Sequence, residues 1–154
     1  MKKSIFLVGL PLPEEAGLEC VQIKEARSLL DADVVIFRPS FMEFFDDKLY
    51  DGKRKIADHD SFILKEQIHH WRKELKGCTN NGKTVIILLD ENELVYVETG
   101  RTKESGTGKN RSVTRLVEGV YSHQFLPFDI GTSVDSKGSY ILPAKDLGPL
   151  AQYW

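Results

Sequence analysis

Hydrophobic positions along the chain fall into short unbroken runs and one long stripe at helical spacing. Ile5-Phe6-Leu7-Val8-Gly9-Leu10 is a continuous apolar run closed by Pro11 and Pro13, the pattern of a strand buried on both faces. Cys20-Val21-Gln22-Ile23 reads as a short edge strand. Lys24 to Leu30 reads as a brief helix with Ala26, Leu29 and Leu30 on one side. Asp33-Val34-Val35-Ile36-Phe37 is a second strong strand, ended by Pro39. Phe41, Phe44, Phe45 and Tyr50 cluster between Ser40 and Tyr50, predicting a short helix or ordered loop laid over the sheet. Lys53-Arg54-Lys55 then opens a charged connection that runs to Asp58-His59-Asp60-Ser61.

The clearest helix is predicted over Phe62 to Lys76, where Leu64, Ile68, Trp71 and Leu75 make one apolar stripe. Asp60 or Ser61 is placed to cap it, since either side chain accepts a bond from a first-turn N–H. Gly77 and the Asn80-Asn81-Gly82 cluster are its stop signals. Thr84-Val85-Ile86-Ile87-Leu88-Leu89 is a third buried strand, and Leu94-Val95-Tyr96-Val97 a fourth. Thr99 to Arg111 reads as a Gly-rich basic loop. Ser112 to Gly119 reads as a short helix, with Val113, Leu116, Val117 and Val120 sharing a face. The tail alternates apolar pieces, Phe125-Leu126-Pro127-Phe128 and Tyr140-Ile141-Leu142-Pro143, with Gly and Asp turns.

Strands separated by helical segments predict an α/β domain: a three-layer sandwich with a mostly parallel central sheet of about four to six strands. The block Asp33 to Phe37, the helix at 62–76 and Gly82 to Leu89 resembles the central βαβ unit of flavodoxin-like domains, and of class I glutamine-amidotransferase-like domains in particular. Catalytic members of the latter carry a nucleophilic Cys on a sharp elbow after a central strand. Here Asp90-Glu91-Asn92 follows the strand, so the resemblance implies the fold and not that catalysis. In such sheets ligands gather at the C-terminal strand edge, where Pro11, Arg38, Asp90 and the residues after Val97 are expected to emerge.

Composition narrows the classes. With 154 residues, 41% hydrophobic and 29% charged, the chain has the size and content of one globular domain, 1–154. The ending Tyr153-Trp154 points either to a docked end or to a domain cut from a longer protein, such as the N-terminal domain of a larger bacterial one. Twenty-one basic against 23 acidic residues give a net charge of −2, which argues against a general polybasic binder. The first apolar run is shorter than a signal-peptide core, and no run approaches the roughly 20 residues of a membrane span. A cytoplasmic protein with no membrane partner is therefore expected. Cys20 and Cys78 belong to no CxxC pattern, and neither a disulfide framework nor a zinc site is implied. Cys78, placed past a helix C-terminus, is not expected to be a thiolate nucleophile.

The candidate chemistry lies in the basic loop. Lys103-Glu104-Ser105-Gly106-Thr107-Gly108-Lys109-Asn110 resembles a P-loop, with Lys103 where the first Gly belongs and Asn110 where the metal-binding Ser or Thr belongs. Arg101, Lys103, Lys109, Arg111 and Arg115 stand against a single acid, Glu104, giving this stretch a local charge of +4. Gly106 and Gly108 would let backbone approach an anion, and a helix start beyond them would add its dipole. The expected function is a non-catalytic binding or sensor domain that accepts a phosphate-bearing ligand, a nucleotide or a nucleic-acid backbone, through these seven residues. Two alternatives stand. One is a protein–protein interaction module that docks a partner or a second copy. The other is an enzyme that uses the P-loop-like segment, or His59 with Asp58 and Asp60 as an acid/base pair. No catalytic residue, metal or cofactor is assigned. Adjacent His69 and His70 diverge by about 100° on a helix and cannot converge on one ion.

Overall fold

The computed structural model describes residues 4–10 and 18–128. Four strands, β1 (Ile5–Val8), β2 (Glu19–Val21), β3 (Val34–Phe37) and β6 (Thr84–Ile87), form a wholly parallel sheet in the order β2-β1-β3-β6. Between β3 and β6 in the chain come β4 (Phe45–Tyr50) and β5 (Lys53–Ile56), which belong to a second sheet with β7 (Leu94–Ser105) and β8 (Ser112–Tyr121). That sheet has the order β4-β5-β7-β8. The α/β class is thus present, with a parallel four-stranded sheet. Leu94–Val97, expected in that sheet, belongs to the other.

The register explains the apolar runs. Phe6 pairs with Val35 and Val35 with Val85, while Val8 pairs with Phe37 and Phe37 with Ile87. Phe6, Val8, Val35, Phe37 and Val85 therefore look towards one face, where they meet helix α1 (Asp58–Asn80) in the main core. Leu64, Trp71 and Leu75 of the predicted stripe are fully buried there, and Ile68 packs at its margin. Trp71 also donates its indole N–H to the Ile23 carbonyl at 2.8 Å, so its single polar atom is satisfied. Phe37, Phe41 and Phe125 stack in tilted contacts near 6 Å and close the core from the side. Leu7, Ile36 and Ile86 share the opposite face, where Ile86 is 44% exposed.

Four local expectations are corrected. Lys24 to Leu30 is not helical. Glu43 accepts the Ile23 and Lys24 N–H groups and Glu74 accepts that of Leu29, so carboxylates from distant elements replace the helical ladder. Helix α1 begins at Asp58, four residues before the expected start, and continues through Gly77 to Asn80. Ala57 occupies the N-cap without a side-chain bond, while Asp58 and Asp60 lie in the first turn, where carboxylates offset exposed N–H groups. The aromatic segment forms a 3-10 turn, Met42–Phe44, and then β4. The supposed charged connection Lys53–Ile56 is β5, joined to β4 by Asp51 (φ 48°) and Gly52 (φ 71°). Two successive positive φ values make the type I′ turn that matches strand twist, and Asp-Gly is its favoured sequence.

The largest correction concerns residues 98–121. β7 does not end at Val97 but runs on to Ser105, and Ser112 to Gly119 is not a helix but most of β8. The two pair antiparallel from Leu94–Tyr121 out to Ser105–Ser112, with a register shift between Glu98 and Thr102. Helical spacing of Val113, Leu116, Val117 and Val120 coincides with the β-branched character of the three valines, and cross-strand pairing decides between the two. No helix among the described residues is long and apolar enough to cross a membrane. The Tyr140 to Pro143 segment and the Tyr153-Trp154 end lie outside the described residues.

Candidate functional site, a basic hairpin arm

From Gly100 to Leu116 every residue of the β7–β8 hairpin is exposed, so its outer half stands clear of the core as a two-stranded arm. Arg101 and Lys103 lie on β7, Arg115 on β8, and Gly106, Gly108, Lys109 and Arg111 at the tip, where Gly108–Asn110 makes one 3-10 turn. The tip needs glycine at 106. Its φ is +85°, and a Cβ there would lie 2.2 Å from the Asn110 carbonyl oxygen. A strand follows the tip where the P-loop resemblance requires a helix, so no helix N-terminus is added to the site.

Pairing sorts the charges. Residues directly opposite in an antiparallel pair share a face, and alternate residues do too. Lys103 opposes Thr114 and Ser105 opposes Ser112, with Arg101 two residues before Lys103. One face therefore carries Lys103, Ser105, Ser112 and Thr114, a cation and three hydroxyls with no acid, while Arg101 is exposed in the irregular stretch just before Thr102. The other face has Thr102 opposite Arg115 and Glu104 opposite Val113. Its charges are spent internally: Arg111 pairs with Glu104, and Arg115 with Asp58 at the start of α1. Arg101, Lys103 and Lys109 have no ion-pair partner among the described residues. The structure thus separates five exposed basic residues into two that have an acidic partner and three that have none among the described residues.

The base of the arm is anchored by charges the sequence does not flag. Glu98 is 5% exposed, and Lys55 Nζ lies 2.7 Å from its Oε1 and 3.2 Å from Asp58 Oδ1. Ser61 Oγ accepts the Glu98 N–H at 3.0 Å and donates to the Ala57 carbonyl at 3.0 Å. Lys65 donates to the Glu98 carbonyl at 3.3 Å and pairs with Glu118. The hydrogen bond that Lys55 donates to Glu98 outweighs burial and raises the Lys55 pKa above 10.5, with Asp58 adding to it. This cluster joins β5, α1, β7 and β8. Its sequence signal, Lys-x-x-Asp before a helix and a Glu deep in a strand, is too common to be noticed.

The other candidates resolve simply. His59 is 77% exposed and lies 3.3 Å from Asp60, while Asp58 is held by Lys55 and Arg115. His70 bonds the Arg27 carbonyl at 2.9 Å. No group of three or more His, Cys, Asp and Glu able to hold a metal occurs among the described residues. Cys78 lies within the last turn of α1, not beyond it, and is fully buried. Burial raises its thiol pKa, so the expected inertness has a cause other than the helix dipole. Arg38 and Asp90 do emerge at the C-terminal ends of β3 and β6, where they pair at 2.6 Å. β7 belongs to the second sheet, so the arm is not a loop on that edge. No family model matches the chain, and neither a curated protein nor a solved structure is similar to it.

Proposed function

We propose that this domain is a non-catalytic binding module that takes a phosphate-bearing ligand on the β7–β8 arm, and that the ligand is a nucleic-acid backbone rather than a single nucleotide. The observation that carries this reading is the acid-free outer face of Lys103, Ser105, Ser112 and Thr114, flanked by the exposed Arg101 and continued by Lys109 at the tip. Mononucleotides are held in concave sites that cover most of their surface. The hollows at the root of the ribbon are bordered by Glu118, Asp58 and Glu98, which disfavour a phosphate there. The ribbon itself offers a row of charges and hydroxyls along a stretch of about 17 Å, five residues of strand, which spans several phosphates. Exposed cations are individually weak, but counterion release from a polyanion adds their effects. A two-stranded ribbon is also narrow enough to enter a major groove. The order β2-β1-β3-β6 supports a flavodoxin-like reading of the parallel half, and a cytoplasmic location goes with such a ligand.

Fluorescence anisotropy with labelled duplex and single-stranded DNA and RNA, over a series of salt concentrations, tests the proposal. Wild type should bind with a negative salt slope. The triple reversal Arg101→Glu, Lys103→Glu, Lys109→Glu should weaken binding by more than about tenfold and flatten the slope by roughly one for each phosphate that is no longer neutralised. Binding equal in the two proteins, or absent from both, refutes it.

A further inference from the structure

The parallel sheet has a second feature, unconnected with the arm. Chain order reverses at β1: the chain steps from β1 outward to β2 and then returns past β1 to β3. At such a switch point the connections leave opposite ways and open a crevice outside the C-terminal ends of the two strands. A cavity of about 510 Å³ lies there, within the range of small-molecule sites. Gly9 and Arg38, the residues that follow β1 and β3, line it together with Gln22, Ser40, Met42 and Glu43.

Its wall is fixed by backbone. Arg38 donates its N–H to the Val8 carbonyl at 2.9 Å, and Gly9 donates to the Val21 carbonyl at 3.2 Å. Gly9 has a φ of +73°, and a Cβ on it would come within 2.4 Å of the Arg38 carbonyl oxygen, so no other residue fits between the strand ends. Two carboxylates also line the cavity: Glu25, which is exposed to solvent, and Glu43, whose two oxygens receive the Ile23 and Lys24 N–H groups at 2.8 and 2.9 Å.

Arg38 is oriented in the same way. Its Nε donates to Asp90 at 2.6 Å, which leaves the terminal nitrogens of the guanidinium without a partner among the described residues. That free edge is a planar fork suited to two oxygens of one anion. Ser40 Oγ accepts the Met42 N–H at 3.2 Å, which leaves its own proton to donate. Gln22 adds an exposed amide, and Leu10 and Met42 supply apolar surface.

We propose that this crevice binds a small organic anion, with a carboxylate or phosphoryl group on Arg38 and Ser40 and its carbon body against Leu10 and Met42. The site is separate from the arm and makes the domain a two-ligand module. Isothermal titration of the full chain with adenosine monophosphate and with succinate tests it and distinguishes the two anion types. Wild type should bind at least one of them. Arg38→Gln should weaken that binding at least tenfold, Met42→Lys should change the preference between the two probes, and Lys103→Glu on the arm should leave it unaltered. Circular dichroism of each variant checks that the fold persists. The proposal is overturned if wild type binds neither probe, if Arg38→Gln binds as tightly as wild type, or if Lys103→Glu abolishes binding.

Discussion

The parallel-sheet half and the β7–β8 arm are built on opposite principles within one short chain. In the first, strands are largely apolar, the Trp71 indole N–H is satisfied in place, and α1 lies on one side, with Gln67 Oε1 a buried oxygen left without a partner among the described residues. In the second, twelve- and ten-residue strands run out into solvent with no core beneath their outer halves. The parallel half is held by burial, whereas the arm is held by ladder bonds, two ion pairs and the buried Lys55–Glu98 anchor at its root. The difference separates stability from recognition, since substitutions on a solvated arm cost little and leave its surface chemistry free to vary.

The contrast is sharpest where burial is complete. Trp71→Ala removes a fully buried side chain and its bond to Ile23, and should cost about 4 kcal/mol in urea unfolding. A loss below about 1 kcal/mol would mean that the core in this half is not what holds the fold.

Next comes the anchor. Lys55→Met leaves Glu98 buried beside no cation and should cost about 3 kcal/mol. The sign of its pH dependence follows from linkage. Lys55 has a folded-state pKa above 10.5, so its contribution is complete below that value and disappears as pH rises through the higher folded one. Wild type should therefore lose stability above pH 10.5 more steeply than Lys55→Met, and parallel curves would show that the pair contributes nothing.

At the tip, Gly106→Ala forces a left-handed backbone and a clash with Asn110, a strain of about 1–3 kcal/mol. Because the tip is exposed, the strain should appear as faster amide exchange confined to residues 103–114, with the core unchanged. Uniformly faster exchange would show that arm and core unfold as one unit. The smallest effect is expected for Arg111→Ala, whose pair with Glu104 is more than half exposed and contributes about 0–1 kcal/mol. A midpoint shift equal to that of Lys55→Met would contradict the division between anchor and surface.

How legible each half was follows from the same contrast. Ile5–Val8, Val34–Phe37 and Thr84–Ile87 stand out as short apolar runs of the kind parallel strands carry, although Thr84 and Ile86 leave one face of the last exposed. The α1 stripe stands out because one-sided burial imposes its period on the sequence. The arm has solvent on both sides, so neither alternation nor a run marks it, and its glycines and charges imitate a loop. One local signal in the arm points the other way, the density of Thr and Val from 99 to 120, just as Asp51-Gly52 marks the β4–β5 hairpin. The shape of residues 24–30 was beyond local reading, since Glu43 and Glu74 take the Lys24 and Leu29 N–H groups from afar.

By itself the sequence determined the α/β class, the three best strands, the helix stripe and the position of the basic cluster, because each is written in local periodicity or composition. Tertiary structure alone decided that the cluster is a ribbon, that Arg111 and Arg115 are committed to Glu104 and Asp58, and that Gly9 and Arg38 meet at one strand edge. Those outcomes depend on pairing between residues remote along the chain. A long-range pair is chosen by the competition of all possible partners in the folded state, and no local pattern records that choice.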